Sequence, residues 1–181
     1  MCIRDSPIQD YEVAYLRQQL GYAAQEILLF SDTLKNNIAW GKPEATDQEV
    51  MQAARLAAMD TYILQAPQQL ETMLNERGTK LSGGQKQRMT IARALVRTPR
   101  ILILDDCLSA VDARTARKIL RNIKSSIRGS TMLLLTNSTS SAQLADHIVV
   151  MDAGKVVERG THQELLARGG FYSTLYKEHN V

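Results

Sequence analysis

The sequence predicts an α/β fold built on a parallel sheet, and three observations carry that expectation. Residues 101–105, Ile-Leu-Ile-Leu-Asp, are a short apolar run that ends in the adjacent carboxylates of Asp105 and Asp106, as a buried strand does at an active-site edge. Behind Asp112, a helix N-cap, Ala116, Ile119, Leu120 and Ile123 recur at helical spacing, and the apolar stretch Thr131 to Thr136 then closes a βαβ unit. Residues 30–80, by contrast, read as helices, so a small helical subdomain is inserted ahead of the sheet strands.

Composition sets the outer limits. With 181 residues, 44% hydrophobic and 23% charged, the chain is sized for about one domain of globular composition. No apolar run approaches the ~18 residues of a membrane-spanning helix. A net charge of +3 is too small to argue for a nucleic-acid partner, and none is expected. Two cysteines, Cys2 and Cys107, make no disulfide framework and suit a reducing compartment.

In chain order, residues 1–6, Met-Cys-Ile-Arg-Asp-Ser, look foreign: codons ATG-TGT-ATA-AGA-GAC-AG spell them up to the last base, and that string resembles a transposon end used as a sequencing adapter. Authentic sequence is expected from Pro7, in a frame cut at its 5′ end. Asp10 is expected to cap a short helix carrying Val13, Leu16 and Leu20, with Gly21 as its stop. Ser31 should cap a helix through Leu34 and Ile38 that ends at Gly41. Thr46 with Glu49 makes a capping box before Val50, Ala53, Ala54 and Ala57, whose apolar stripe is core.

Leu81-Ser82-Gly83-Gly84-Gln85 then opens into a helical run through Met89 to Arg97, stopped by Pro99. Ser82 and Gln85 form a second capping box, which leaves other first-turn amides unpaired at the positive end of the helix dipole. Gly83 and Gly84 have no Cβ, so the oxygens of an anion can approach the backbone closely. Taken alone, the same pattern also fits an ordinary capped surface helix. Beyond the βαβ unit, strands His147 to Met151 and Lys155 to Glu158 flank a turn at Asp152-Ala153-Gly154. Thr161 and Glu164 cap a helix with Leu165 and Leu166, and an amphipathic helix runs from Phe171 to about Lys177.

LSGGQ at 81–85, followed at its expected separation by the strand Ile101 to Asp105, resembles the signature and Walker B motifs of the nucleotide-binding domain of ABC transporters, and the likeness extends from residue 7 to the end. The resemblance implies a P-loop NTPase sheet with an inserted α-helical subdomain: helical with the signature over about 30–98, RecA-like over 99–181. It implies ATP and Mg²⁺ as cofactors, with Ser82, Gly83, Gly84, Gln85 and Asp112 binding nucleotide and Asp105 holding the metal. Tyr22-Ala23-Ala24-Gln25-Glu26 resembles the Q-loop, which makes Gln25 both a metal-sensing and a catalytic residue, although in isolation it reads as a surface glutamine. Ser109-Ala110-Val111-Asp112 resembles the D-loop, and capping alone would also account for Asp112. Asn75-Glu76-Arg77-Gly78 is similar to the exporter loop beside the membrane domain; its alternative is a charged turn. The tail from Gly160 to Tyr172 is also exporter-like.

Three departures stand out. No G-x-x-x-x-G-K-[ST] loop occurs, so the Walker A portion is lacking. Asp106 stands where the family has glutamate, one methylene longer, and Asn137 where it has the switch histidine. The shorter carboxylate draws back from the water it should polarise, and an amide cannot become imidazolium. The pattern resembles the degenerate-site half of a heterodimeric exporter, whose domains pack head to tail so that this LSGGQ completes the partner's site. The implied partners are that second domain and a transmembrane domain, and the implied location is the cytoplasmic face of the plasma (inner) membrane. A soluble ABC ATPase of DNA repair or translation, and a regulatory half that binds ATP without turnover, remain as alternatives.

Overall fold

The computed structural model describes residues 2–3, 6–75, 81–127 and 129–179. The loop residues Glu76 to Gly78 lie outside them. At the start, β1 (Cys2–Ile3) pairs antiparallel with β2 (Ser6–Pro7), and a 3₁₀ turn at Ile8–Asp10 leads to α1 (Val13–Gln19). Asp10 lies inside that turn and does not cap α1, whose N-cap is Glu12. Nor does Gly21 stop the helix, because Leu20 and Gly21 already belong to strand β3 (Leu20–Ala23). Its lack of a side chain serves packing: a Cβ there would stand 2.7 Å from both Ala94 O and Pro99 Cγ.

The helical region holds α2 (Leu34–Ala39), α3 (Asp47–Leu56), α4 (Asp60–Gln65) and α5 (Gly83–Leu95). Thr33, rather than Ser31, caps α2, its hydroxyl accepting from Asn36 N at 3.0 Å, while Asp32 holds the Thr33 N–H. Helix α2 ends at Ala39, and the space at Gly41 is taken by the Arg93 carbonyl, which a Cβ would strike. Leu34, Ile38, Val50, Ala53, Ala54, Met59, Ile63, Met89 and Ile91 fill the core between these helices. All three capping boxes, Thr46–Glu49, Ser82–Gln85 and Thr161–Glu164, form as the spacing predicts.

Strand β4 (Ile101–Asp105) follows, then α6 (Ala113–Ser126), capped by Asp112, whose Oδ1 accepts from Thr115 N at 2.9 Å. Ala116, Ile119, Leu120 and Ile123 are the buried face of α6, as their spacing implies. Strand β5 (Thr131–Leu135) completes a three-stranded parallel sheet in the order β3-β4-β5, with Ala23 opposite Leu104 and Asp105 opposite Leu135. After the short α7 (Thr139–Ala142), β6 (Ile148–Asp152) and β7 (Lys155–Gly160) form a separate antiparallel hairpin, and α8 (His162–Arg168) and α9 (Phe171–His179) pack against it. The α/β architecture with a parallel sheet is as expected. Among the described residues the far edge of β5 has no strand partner, and no helix is long and apolar enough to cross a membrane.

Candidate functional site

Two groups of the expected residues are brought together, each by a different element. The first gathers at the carboxyl edge of the parallel sheet, the end at which ligands of open α/β sheets bind. Asp105 is the last residue of β4 and Asp106 the next; Gln25 follows the end of β3 by two residues, and Asn137 follows the end of β5 by two. The register places these three strand ends side by side, and Asp106 N donates to Leu135 O at 3.0 Å. Gln25 and Asn137 are exposed, and both carboxylates are half-buried. Asp106 has a φ of +45°, a left-handed conformation that aspartate tolerates better than most side chains.

Tyr22 joins this edge, which sequence reasoning missed. Opposite Ile103 in the register, it lies on the same side of the sheet as Asp105, and its hydroxyl donates to Asp105 Oδ2 at 2.9 Å. That hydrogen bond to the carboxylate pushes the Tyr22 hydroxyl above the usual phenol range. Among the described residues no hydrogen bond reaches Asp105 Oδ1, which could therefore take a cation. Among the described residues no three metal-ligating side chains cluster; Asp105 would be a single carboxylate ligand, as Mg²⁺ commonly has beside phosphate oxygens and water.

The second group lies at the start of α5. Ser82 Oγ accepts from Gln85 N at 3.2 Å and Ser82 N donates to Gln85 Oε1 at 2.8 Å. Gly83 and Gly84 open the helix with small residues exposed or half-buried, as a phosphate cradle requires. The glycines also serve this chain's own packing, since a Cβ on Gly84 would stand 2.8 Å from Ala110 O. Asp112 lies two residues further along that loop, and its carboxyl is held below the usual range by the hydrogen bond from the Thr115 backbone.

Gln87 links the two groups and was not foreseen. It is buried, and it bonds Ser109 and Ala110, the loop that follows the carboxylates. Its signal lay in the helix pattern: Gln87, Thr90, Ile91, Ala94 and Leu95 make one buried stripe, and a glutamine in such a stripe asks for polar partners. Arg88 ties α5 to the rest of the helical region by donating to Ala58 O at 2.6 Å. Between the groups, Cys107 is buried, and burial pushes its thiol up to about 12.

A glycine-opened, capped helix packed on the loop after a carboxylate-tipped parallel strand is an α/β arrangement that could take an anionic ligand at the strand ends. The family model described as ABC transporter matches residues 1–109, and the chain belongs to that family. It is 50% identical over 175 residues to the "Probable multidrug resistance ABC transporter ATP-binding/permease protein YheI" of Bacillus subtilis (strain 168), covering 97% of this chain and 30% of that protein. It is 47% identical, with the same coverage, to the "Uncharacterized ABC transporter ATP-binding protein YfiB" of that organism. Among solved structures, "Structure of a bacterial Atm1-family ABC exporter with ATP bound" superposes with a TM-score of 0.92 at 38% identity, covering 99% of this chain and 32% of that one. The fold is therefore that of an ABC ATPase, and the chain spans about a third of the length of the relatives it matches.

Proposed function

We propose that this chain is part of the ATP-binding domain of an ABC exporter, where Mg-ATP binding and hydrolysis drive transport across a membrane. The observation that carries the reading is the gathering of Gln25, Asp105, Asp106 and Asn137 at one carboxyl edge, with the Ser82-to-Gln85 turn on a separate surface linked to it by hydrogen bonds through the loop at Ser109 and Ala110. A site split in this way suits a head-to-tail pair in which each nucleotide lies between the sheet edge of one domain and the glycine turn of the other. The free edge of β5 and the exposed Leu133 and Leu135 beside it suit a strand from outside this sequence, bringing the Walker A loop. A transmembrane domain is the second partner, and the domain works at the cytoplasmic face of the plasma (inner) membrane.

In this arrangement Asp105 would hold Mg²⁺, which would supply neutralisation of phosphate charge. Gln25 would orient the attacking water, Ser82 and the Gly83 and Gly84 amides would hold the phosphates of the partner's nucleotide, Gln85 and Asp112 would border it, and Asp106 would stand as the base. Asp106 is too short for that work and Asn137 cannot carry charge, so this chain's own sheet edge is the slow site of a heterodimer. A regulatory half without turnover is the second reading, and the same two residues favour it.

The test is repair. In the full-length pair, with the partner's catalytic carboxylate neutralised, Asp106→Glu with Asn137→His should raise single-turnover hydrolysis by about 10²-fold or more, the range of a positioned base. Each single change should give less than half of that on a logarithmic scale, because both groups act on one water and one phosphate. The 181-residue chain alone should hydrolyse nothing. No acceleration by the double variant, with nucleotide still bound, would sink the slow-site reading.

A further inference from the structure

We propose that Gln87 is a positioning residue which fixes the loop after the carboxylate strand to the glycine turn, so that a shift at one nucleotide is felt at the other; this rests on the function proposed above. Gln87 is 5% exposed, and both ends of its amide are used. The Ala110 N–H donates to its Oε1 at 2.8 Å, and its Nε2 donates to Ser109 Oγ at 3.0 Å. A backbone N–H can only donate, so the oxygen must face Ala110, and the orientation of the amide is fixed. Ser109 Oγ spends its one proton on the Asp106 carbonyl at 3.0 Å. A continuous relay therefore runs from α5 to the backbone of Asp106 through a side chain shielded from water.

Both backbone groups of Asp106 are then pinned, the carbonyl by Ser109 and the N–H by Leu135 O. That matters because its φ of +45° must be held by its surroundings. The glycine turn presses on the same loop, with ideal Cβ positions on Gly83 and Gly84 lying 3.4 Å from Ala110 Cβ and 2.8 Å from Ala110 O. Helix α5 cannot slide past the loop without breaking these contacts. A displacement of Ser82 to Gln85 on binding the partner's nucleotide is thus passed to the carboxylate that faces this chain's own nucleotide.

The experiment uses the full-length pair with the partner's catalytic carboxylate neutralised, so that kcat and KM report this chain's own site. Gln87→Glu keeps the acceptor for Ala110 N–H but presents an oxygen to Ser109, whose proton turns to it and releases the Asp106 carbonyl. Ser109→Ala, at an exposed position, breaks the relay from its other end without touching the core. Each variant should lower kcat for ATP hydrolysis about tenfold while KM for ATP stays within about twofold, as expected when a reacting group is misplaced and binding is not. The melting temperature should move by no more than about 3 °C, and the double variant should be no slower than the slower single, since one relay is cut twice. Unchanged kcat, a rise in KM with kcat kept, or additive losses would overturn the inference. Loss of activity that follows loss of melting temperature would make Gln87 a packing residue and overturn it as well. A wild type without ATPase activity would overturn the functional reading, and the inference with it.

Discussion

Every polar atom of Asn37 has a partner, whereas β5 is exposed on one face, half-buried on the other and, among the described residues, unpaired on one edge. Asn37 is fully buried: its Nδ2 donates to Phe30 O and Thr33 O at 3.0 Å each, and its Oδ1 accepts from Phe30 N at 2.9 Å and from Arg93 at 3.2 Å. Arg93 also donates to Asn37 O and Leu28 O and lies 5.3 Å over the Phe30 ring. On β5, Leu133 is 53% and Leu135 44% exposed. The difference teaches that helices satisfy their backbones internally and need only side-chain cover, which neighbouring helices here supply. A strand needs a neighbour along its edge, and an open edge beside apolar side chains is a binding surface.

The largest test of that contrast is Asn37→Ala. It would leave the Phe30 N–H and one Arg93 N–H without their acceptor at a buried position, while the Phe30 and Thr33 carbonyls keep the backbone N–H of residues 32 and 37, at about 4 kcal/mol. Urea unfolding followed by helical circular dichroism measures it. Arg93→Met should be strongly non-additive with it, since the two share one network. A loss below about 1 kcal/mol would mean that water reaches the network, and the helical half would then be no tighter than the sheet half.

A smaller effect compares two apolar truncations. Ile38→Ala empties a fully buried position in α2 and should cost about 3 kcal/mol. Leu133→Ala removes a side chain that is half in water already, so it should cost less than about 1 kcal/mol and should reduce binding of a hydrophobic dye to the chain. Equal costs would break the comparison, because they would mean that the β5 edge is covered in solution, as by self-association.

Legibility in the sequence follows the same line. Capping boxes at Thr46, Ser82 and Thr161 and the Asp112 cap were readable because donor and acceptor lie three residues apart. Strands ending at Asp105 and Leu135 were readable from their apolar runs, whereas β3 was read as the end of a helix, so Gln25 was tied to the edge by the family resemblance alone. Gly21 was misread as a helix stop because the atoms that require its bareness belong to Ala94 and Pro99, far along the chain, and Gly41, which does follow the C-cap of α2, is also bare for the distant Arg93 carbonyl. Gln87 escaped for the same reason, its partners lying 22 and 23 residues on. Tyr22 could be tied to Asp105 only once the register of β3 against β4 was known.

The smallest effect concerns the loop where the two halves meet. Cys107 is 1% exposed, and burial, helped by the nearby Asp106 and Asp105 charges, raises its thiol from 9.0 to about 12. In the unfolded chain the thiol ionises near its ordinary value, while in the folded chain it stays neutral. The folded state therefore binds one more proton across that window, and its stability from this group is complete below pH 9.0 and lost as pH rises toward about 12. Tyr22, Tyr172, Lys35 and Lys42 are also raised and titrate in the same region, so a single alkaline melt cannot isolate the thiol. The difference between wild type and Cys107→Ala can. Wild type should lose urea resistance more steeply than the variant between about pH 9 and pH 11, even though the variant begins less stable through its lost volume. Parallel curves would show that the thiol ionises in the folded state, which requires that water enters the loop between Asp106 and Ser109 and that the tight packing of the helical half stops short of it.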